Sequence, residues 1–523
     1  VSDSAKPWRP KSNPWLVAIV VTLGAFMEVL DTTIVNVSLP HIAGSLSVSN
    51  DQATWALTTY LVANGIVLTI SGSLSRRIGR KRYFLICVAA FTAASLGCGM
   101  STSFTQILLF RAVQGFFGGG LQPTQQAIIL DHFPPEKRQQ AFSLTAIAII
   151  IAPILGPVLG GYLTDTYSWH WIFLINIPIG IITFLGALNF VEDPPFLQKE
   201  KRTAPPFDYL GAFFIALALG CLEVGTDRGE NLDWLGSDFV RILFLLSACG
   251  FLFGITYLLM ARHPVVNLRV FKDRNFALGS LQIAIMGGVL YASAVLIPQY
   301  AQQQLGYDAT WAGLVLAPGA VVLVMLIPIA GKILDRVPAK YVIASGGLAL
   351  GAALFYSMNL VPGLDFRHLA MMRAAQTAAL ALLFVPISSI AYSTLPQEQN
   401  GDAAALFSMA RNVFGGLGIS ISTALITDHE QLRQAHLIDR LSPGNPAYED
   451  LLQKVQHALY DSGQSMSQAI HNAPAQVFGM LQTQTAILAY NDVFLITGCA
   501  ALVLIPTALL MSGVKPKAAG GAH

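Results

Sequence analysis

Two carboxylates three residues apart, Glu28 and Asp31, sit inside an apolar stretch that runs from Trp15 to Leu39. A stretch of that length spans a bilayer as a helix, and a spacing of three places both acids on one helix face. Ionisable groups at that depth are expensive and are kept mainly for function. Two neighbouring acids in a low-dielectric site cannot both ionise easily, so one of them is suited to take up and release a proton at working pH. That is the chemistry of a proton-driven membrane machine, with the proton as coupling ion and no other cofactor.

The rest of the chain supplies the elements that must hold such a site. Of its 523 residues, 54% are hydrophobic and only 11% charged, where soluble domains carry about 25%; mean hydropathy is +0.57. This is the composition of a polytopic, all-α membrane protein. A net charge of +2 argues against a nucleic-acid partner. Cys87, Cys98, Cys221, Cys249 and Cys499 all fall in apolar segments and read as small core residues. The histidines form no metal-ligand cluster, and no phosphate-binding GxxxxGK[ST] loop occurs. No cleavable signal is evident, because the first apolar run is long enough to remain a membrane helix.

Fourteen apolar runs are bounded by charge or by Gly/Pro turns: 15–39, 52–72, 82–99, 105–129, 139–163, 169–190, 208–225, 238–261, 275–304, 309–334, 340–360, 368–392, 402–428 and 487–512. Lys and Arg set their sidedness. One side collects Lys6, Arg9 and Lys11, the run Arg76, Arg77, Arg80, Lys81 and Arg82, then Lys137, Arg138, Lys199, Lys201 and Arg202. Further along it collects Arg262, Arg269, Lys272, Arg274, Lys332, Arg336, Lys340, Lys515 and Lys517. Both termini are therefore expected in the cytoplasm, which an even span count allows, and segment 429–486 on the outer side.

The chain also repeats itself. ATWAL at Ala53 returns as ATWAG at Ala309, GSLSRR at Gly72 as GKILDR at Gly331, and RAVQ at Arg111 as RAAQ at Arg373, at separations of 256, 259 and 262 residues. Three matches in order point to duplication. Two six-helix halves about an axis along the membrane normal, with two helices inserted between them, is a transporter arrangement. The expected organisation is a cytoplasmic N-terminus over 1–14, a six-helix bundle over 15–190 and a linker with two extra helices over 191–274. A second six-helix bundle over 275–513 carries the outer loop 429–486, and a cytoplasmic tail covers 514–523.

Within this frame Arg111 is the expected partner of Asp31. The first helix runs outward and the fourth inward, and at about 1.5 Å per residue the two side chains lie at nearly the same depth. A buried arginine needs an acceptor, and a buried aspartate is cheaper beside a cation. Arginine favours the charged carboxylate while burial disfavours it; proton coupling requires that balance to change between conformations. In this reading Asp31 carries the proton, Arg111 tunes it and Glu28 is a second titrating site. The plainer alternatives are a static Asp31–Arg111 pair and a Glu28 that contacts substrate or solvent. The ninth helix, the repeat of the first, has no acid, so coupling belongs to the first half.

Several segments resemble motifs of the major facilitator superfamily, and more narrowly of its fourteen-helix drug:proton antiporter branch of EmrB type. LDTTIVNVSLP (Leu30–Pro40) is similar to that branch's first-helix motif, GSLSRRIGRKR (Gly72–Arg82) to the loop between helices 2 and 3, and RAVQGFFGGG (Arg111–Gly120) to the fourth-helix motif. APILGPVLGG (Ala152–Gly161) resembles the antiporter motif of helix 5, and DRGENLDW (Asp227–Trp234) an EmrB-type turn. The resemblance covers essentially the whole chain and implies a proton-driven exporter of lipophilic drugs or toxic compounds in the cell inner membrane. It also implies a periplasmic adaptor, an EmrA-like membrane fusion protein, and an outer-membrane channel as partners. One position departs from the pattern: the superfamily loop usually has Asp where this chain has Arg76, which puts the first-half gate lock in doubt, while the repeat keeps an acid at Asp335.

The resemblance assigns gating to Gly72, Arg76, Arg77, Gly79 and Arg80, with Asp335 and Arg336 in the repeat; a simple topology anchor is the alternative. Pro153, Gly156, Pro157, Gly160 and Gly161 form the antiporter seam, or ordinary close helix packing. Substrate is expected between the halves near mid-membrane. Polar and aromatic residues placed there are Tyr60, Asn64, Gln114, Gln122, Gln126, Tyr291, Gln299, Arg373, Arg411 and Asn412; helix–helix hydrogen bonding is the competing use of each. A dedicated single-metabolite exporter and a non-transporting membrane receptor are the remaining function classes. Nothing in the sequence marks an enzyme.

Overall fold

Helix boundaries follow local chemistry. The Asn13 side chain accepts a hydrogen bond from the Trp15 amide at 3.0 Å, and Pro14 takes the first helical position, where a missing amide hydrogen costs nothing. From there α1 (Pro14–Leu46) runs through the whole acid-bearing stretch. A reciprocal capping box between Ser49 and Gln52 opens α2 (Asn50–Ile78). The turn to α3 (Arg80–Gly99) is a single residue, Gly79, at φ 95°, a conformation that suits glycine.

The computed structural model describes residues 10–195, 206–334, 336–396, 399–442 and 444–512. Asp335 and the basic residues Lys6, Arg9, Lys199, Lys201, Arg202, Lys515 and Lys517 lie outside them, as do most of the two terminal segments. The helices that follow are α4 (Phe104–Gly118), α5 (Leu121–His132), α6 (Pro135–Thr166), α7 (Trp171–Leu174), α8 (Asn176–Phe190), α9 (Tyr209–Gly229) and α10 (Asp238–Met260). Then come α11 (Arg274–Leu305), α12 (Ala309–Leu314), α13 (Ala317–Leu334), α14 (Ala339–Tyr356), α15 (Phe366–Ala381) and α16 (Phe384–Ala391). The last are α17 (Asn400–Ile438), α18 (Pro446–Asp461), α19 (Met466–Leu502) and α20 (Leu504–Leu509).

Each of the fourteen apolar runs therefore falls on helix. Among the described residues twelve helical stretches are long and apolar enough to cross a membrane, and a thirteenth is α6, bent by 42° after Pro153. The fourth run is helical but interrupted at Gly119 and Gly120, so α4 and α5 are each short of a full span. α10 shows how the outer surface meets lipid: Leu245, Leu252 and Phe253 are all more than half exposed, which in water would be an aggregation liability and in a bilayer is the normal face.

The outer segment 429–486 is largely helical, in keeping with its periodic apolar positions around Leu437–Leu452 and Ala475–Leu481. α17 continues to Ile438, α19 begins at Met466, and α18 bridges them. Composition marks where the apolar run stops; the helices go on because their polar residues face water while Val455, Ala473 and Val477 form a small core of their own. Arg433 and His429 both hold Asp492 at the base of this cap, the arginine through Nε at 2.9 Å and Nη2 at 2.8 Å.

Helices α1–α8 pack on one another, as do α11–α17 with α19 and α20; α9 and α10 form a pair laid against α2 and α17. The two groups meet where α2 faces α17 and α6 faces α12 and α13. At the end that carries the basic loop the meeting is tight. A Cβ on Gly72 would collide with the Gly401 backbone, Arg76 Nη1 pairs with Asp402 Oδ1 at 2.5 Å, and Gln139 donates to the Gly331 carbonyl at 2.5 Å. Phe142 stacks on Tyr392 at 5.7 Å between ring centroids, with Phe276 and Phe407 against the same tyrosine.

Because that closure needs backbone-to-backbone approach, Gly72→Leu is expected to hold the basic end apart. A cysteine introduced at Gln126 would then react with a membrane-impermeant thiol reagent at the basic-loop face at least ten times faster than in the parent; equal rates would show that the glycine contact is not needed for closure.

Candidate functional site

α1 brings its two acids into two different networks. Asp31 is fully buried and accepts three hydrogen bonds: from Arg111 Nη1 of α4, from Gln114 Nε2 at 2.8 Å and from Asn176 Nδ2 of α8 at 2.8 Å. Arg111 is fixed in turn. Its Nε donates to the Ala56 carbonyl at 3.1 Å, its Nη1 also reaches Gln114 Oε1 at 2.9 Å, and the guanidinium lies 4.1 Å from the Tyr60 ring centroid, a cation–π contact. Ser95 of α3 closes the set by accepting from Gln114 and Asn176 at 3.1 and 3.0 Å. A buried ion pair is tolerable when donors and acceptors around it are met; here most are, with Arg111 Nη2 and Asn176 Oδ1 left without a hydrogen-bond partner among the described residues.

Glu28, one turn nearer the basic end and equally buried, faces the other half. Asn64 Nδ2 donates to its Oε1 at 2.9 Å, and Gln122 Nε2 donates to its Oε2. The opposite end of the same amide, Gln122 Oε1, accepts from Arg411 Nη2 and, at 3.5 Å, from Asn412 Nδ2, both on α17. One neutral amide thus joins a carboxylate of the first half to a fully buried guanidinium of the second. Breaking the bridge would leave Glu28 with Asn64 alone and Arg411 with Asn412 and no acceptor from the first half, a costly state in low dielectric. A proton, solvent or a ligand group taking over the lost bonds would lower that cost.

The remaining expected residues are distributed as follows. Tyr60 and Gln114 serve the Asp31 cluster; Asn64, Gln122, Arg411 and Asn412 form the bridge, with the Tyr291 ring packed on Gly415 one turn from Arg411. Gln126 accepts from Tyr392 Oη at 2.9 Å and belongs to the closed basic end. Gln299 is half-buried on α11, away from these networks. Arg373 lies wholly inside the second half with Ser293 and Gln376. Gly156 and Gly160 press on α1 at Thr33 and Ile34, just outward of Asp31, where any Cβ would clash; Pro153 and Pro157 lie inside the same helix, with Gly161.

In the basic loop, Arg80 is buried against Asp131 and the Ala127 carbonyl, the latter at 2.9 Å. Arg77 reaches the Pro206 carbonyl at 2.9 Å and Arg336 is exposed. Sequence reasoning missed Asn176, Ser95 and Asp402. Asn176 was detectable as a lone amide in an apolar run, and Asp402 as an acid in the first turn of α17; Ser95 carried no signal.

Comparison with known proteins bears on this arrangement. The profile of the Major Facilitator Superfamily matches residues 21–419. The chain belongs to the major facilitator superfamily. Among its relatives, the multidrug export protein EmrB of Escherichia coli strain K12 is 34% identical over 97% of this chain and 96% of its own length. The fatty acid resistance protein FarB of Neisseria gonorrhoeae is 31% identical over 99% of both. A crystal structure of the human organic anion transporter MFSD10 shares the fold, with a TM-score of 0.56 and 15% identity over 94% of this chain and all of its own. For a superfamily member the departure at Arg76 now has a physical account. The position carries a cation, and its counter-charge, Asp402, sits on the opposite half. The contact between halves is an ion pair from Arg76 to Asp402, and Asp335 lies outside the described residues.

Asp31→Asn leaves Arg111 buried without its counter-charge and is expected to destabilise the protein by about 3–5 kcal/mol. Asp31→Asn with Arg111→Gln should recover part of that loss, since the pair is then removed together. Thermal unfolding of the purified variants measures both; additive losses would show that the two residues do not act as a pair. In the same way Arg76→Asp and Asp402→Arg should each impair transport several-fold and the combined exchange should restore it, measured as export from cells at matched protein level.

Proposed function

We propose that this chain is a proton-driven antiporter that exports lipophilic drugs or toxic compounds across the cytoplasmic membrane. The observation that carries this reading is the wiring of α1. One acid, Asp31, is held within its own half by Arg111, and the other, Glu28, is joined across the interface to Arg411 through Gln122. Likeness to EmrB and FarB over nearly the whole chain supports export as the direction and lipophilic compounds as the cargo.

In the proposed cycle a proton arriving from outside neutralises Asp31. The carboxyl then attracts Arg111 less, and the O–H becomes a donor where the carboxylate was an acceptor. α1 is released against α6 at the Gly156–Gly160 seam, the Glu28–Gln122–Arg411 bridge parts, and the basic end opens to take substrate between the halves. Loss of the proton to the cytoplasm restores the Asp31–Arg111 pair and the closed basic end, and the substrate leaves outward. Glu28 and Arg411 give the binding layer both signs of charge beside the Tyr291 ring, which suits substrates of varied chemistry. In this reading both termini are cytoplasmic, which the clustering of basic loops on one side supports, and the helical cap of α17, α18 and α19 is on the outer side. Ile438, Leu451, Ile470, Phe478 and Met480 are exposed on that cap, a surface suited to an EmrA-like periplasmic adaptor that continues to an outer-membrane channel.

Two measurements test the reading. In proteoliposomes under an imposed pH gradient, several unrelated lipophilic compounds should each evoke proton movement, and Asp31→Asn should abolish it; full coupling in that variant would overturn the role of Asp31, and a response to a single compound would identify a dedicated exporter. Replacing 442–464 by a short Gly/Ser link removes α18 while leaving the spans intact. It should remove adaptor co-purification but preserve proton-coupled transport in liposomes.

A further inference from the structure

The duplication extends to individual side chains, and at one place it is broken. Arg111, Gln114 and Ser95 of the first half recur, each 262 residues later, as Arg373, Gln376 and Ser357. The hydrogen bonds recur too: Arg373 Nη1 reaches Gln376 Oε1 at 3.4 Å and Gln376 Nε2 reaches Ser357 Oγ at 2.9 Å, matching Arg111 with Gln114 and Gln114 with Ser95. The residue at the same spacing from Asp31 is Ser293, and Arg373 Nη1 donates to its hydroxyl at 2.8 Å. The partner of Asp31 on α8, Asn176, is replaced as well. IFLIN (Ile172–Asn176) corresponds to VFLIT (Val493–Thr497), and the Thr497 hydroxyl donates to its own helix at Val493 O, 2.8 Å away.

The second half has thus kept the cation and lost the carboxylate. Arg373 is completely buried, and its Nε and Nη2 have no hydrogen-bond partner among the described residues. Nη2 is unpartnered in Arg111 as well, but the first half gives its arginine Asp31, the Ala56 carbonyl at Nε and the Tyr60 ring; the second supplies one hydroxyl and one amide oxygen, both at Nη1. A guanidinium cannot escape by losing its proton, and a buried charge without a counter-charge is strongly destabilising. Ser293 cannot neutralise it, and its hydroxyl hydrogen is directed to the Leu290 carbonyl at 3.1 Å.

We infer that Arg373 forms an anion-binding site in the second half, in which a small monovalent anion supplies, at Nε and Nη2, the counter-charge that the Asp31 carboxylate supplies at Nη1 in the first. Nε and Nη2 are the free donors. A buried guanidinium presenting these two donors suits a halide or the carboxylate group of an acidic substrate. The site gives the two halves opposite requirements: a proton can neutralise the carboxylate of one, and an anion the guanidinium of the other.

The full chain, purified in a zwitterionic detergent, tests this. Sodium chloride is exchanged for sodium gluconate, a bulky anion, at constant ionic strength, and Tm is followed as chloride is titrated back. A parallel titration uses octanoate below its micellar range. The expected result is a saturable rise in Tm of a few degrees with one of the two anions. A response to chloride identifies an inorganic anion as the occupant, and a response to octanoate alone the same site filled by an acidic substrate. Ser293→Asp is the deciding variant because it restores the first-half pattern. It should melt higher than the parent in gluconate and lose the response. Arg373→Gln should also lose it, but a folding defect there would not affect the Ser293→Asp comparison. A parent protein indifferent to both anions, or a response retained in Ser293→Asp, overturns the proposal.

Discussion

Removing a charge from water inside a membrane is so unfavourable that each buried ionisable group dictates its neighbourhood. In this protein Asp31 draws donors from α4 and α8, and through them Ser95 of α3. The first-half packing around α1 is built on meeting that one carboxylate. Glu28 extends the same constraint beyond its own half, because the amide that satisfies it is shared with Arg411. A charge that must be satisfied on both sides of an interface makes that interface sensitive to any event that changes the charge.

The close contacts have a complementary role. Gly72 against Gly401, and Gly156 and Gly160 against α1, bring backbones so near that side chains cannot fill the gap. Such contacts are either made or absent, with little between, which suits an element that moves between discrete arrangements. The ion pair of Arg76 with Asp402 sits beside the first of these contacts. The tight packing and the charge pairing therefore coincide at the basic end.

Comparison of the two halves shows which side chains the duplication preserved and which it did not. The arginine, glutamine and serine are retained at constant spacing, and the aspartate is not. The asymmetry that the absence of an acid in the ninth helix suggested is thus visible atom by atom, in Arg111 with its carboxylate and Arg373 with a hydroxyl. Membership of the superfamily accounts for the duplicated frame; the difference between the copies belongs to particular side chains.

Much of this was legible in the sequence, for a simple reason. A bilayer forces apolar helices of definite length, so composition reveals spans, and a lone ionisable group within a span is conspicuous. That is how Asp31, Glu28, Arg111 and the repeat could be read without coordinates. Composition loses its hold where the solvent changes. α17 and α19 continue into water beyond residue 428 and before residue 487 by amphipathic packing, whose apolar periodicity suggests helical pieces without showing that they are continuous with the spans. Nor could spacing reveal that Gln122 turns one end to Glu28 and the other to Arg411, that Asn176 completes the Asp31 shell from a different helix, or that Arg76 is answered by Asp402. Those pairings depend on rotation and depth of helices distant in sequence. Only the tertiary structure decided them, because a hydrogen bond requires its partners within about 3 Å, far finer than any periodicity can specify.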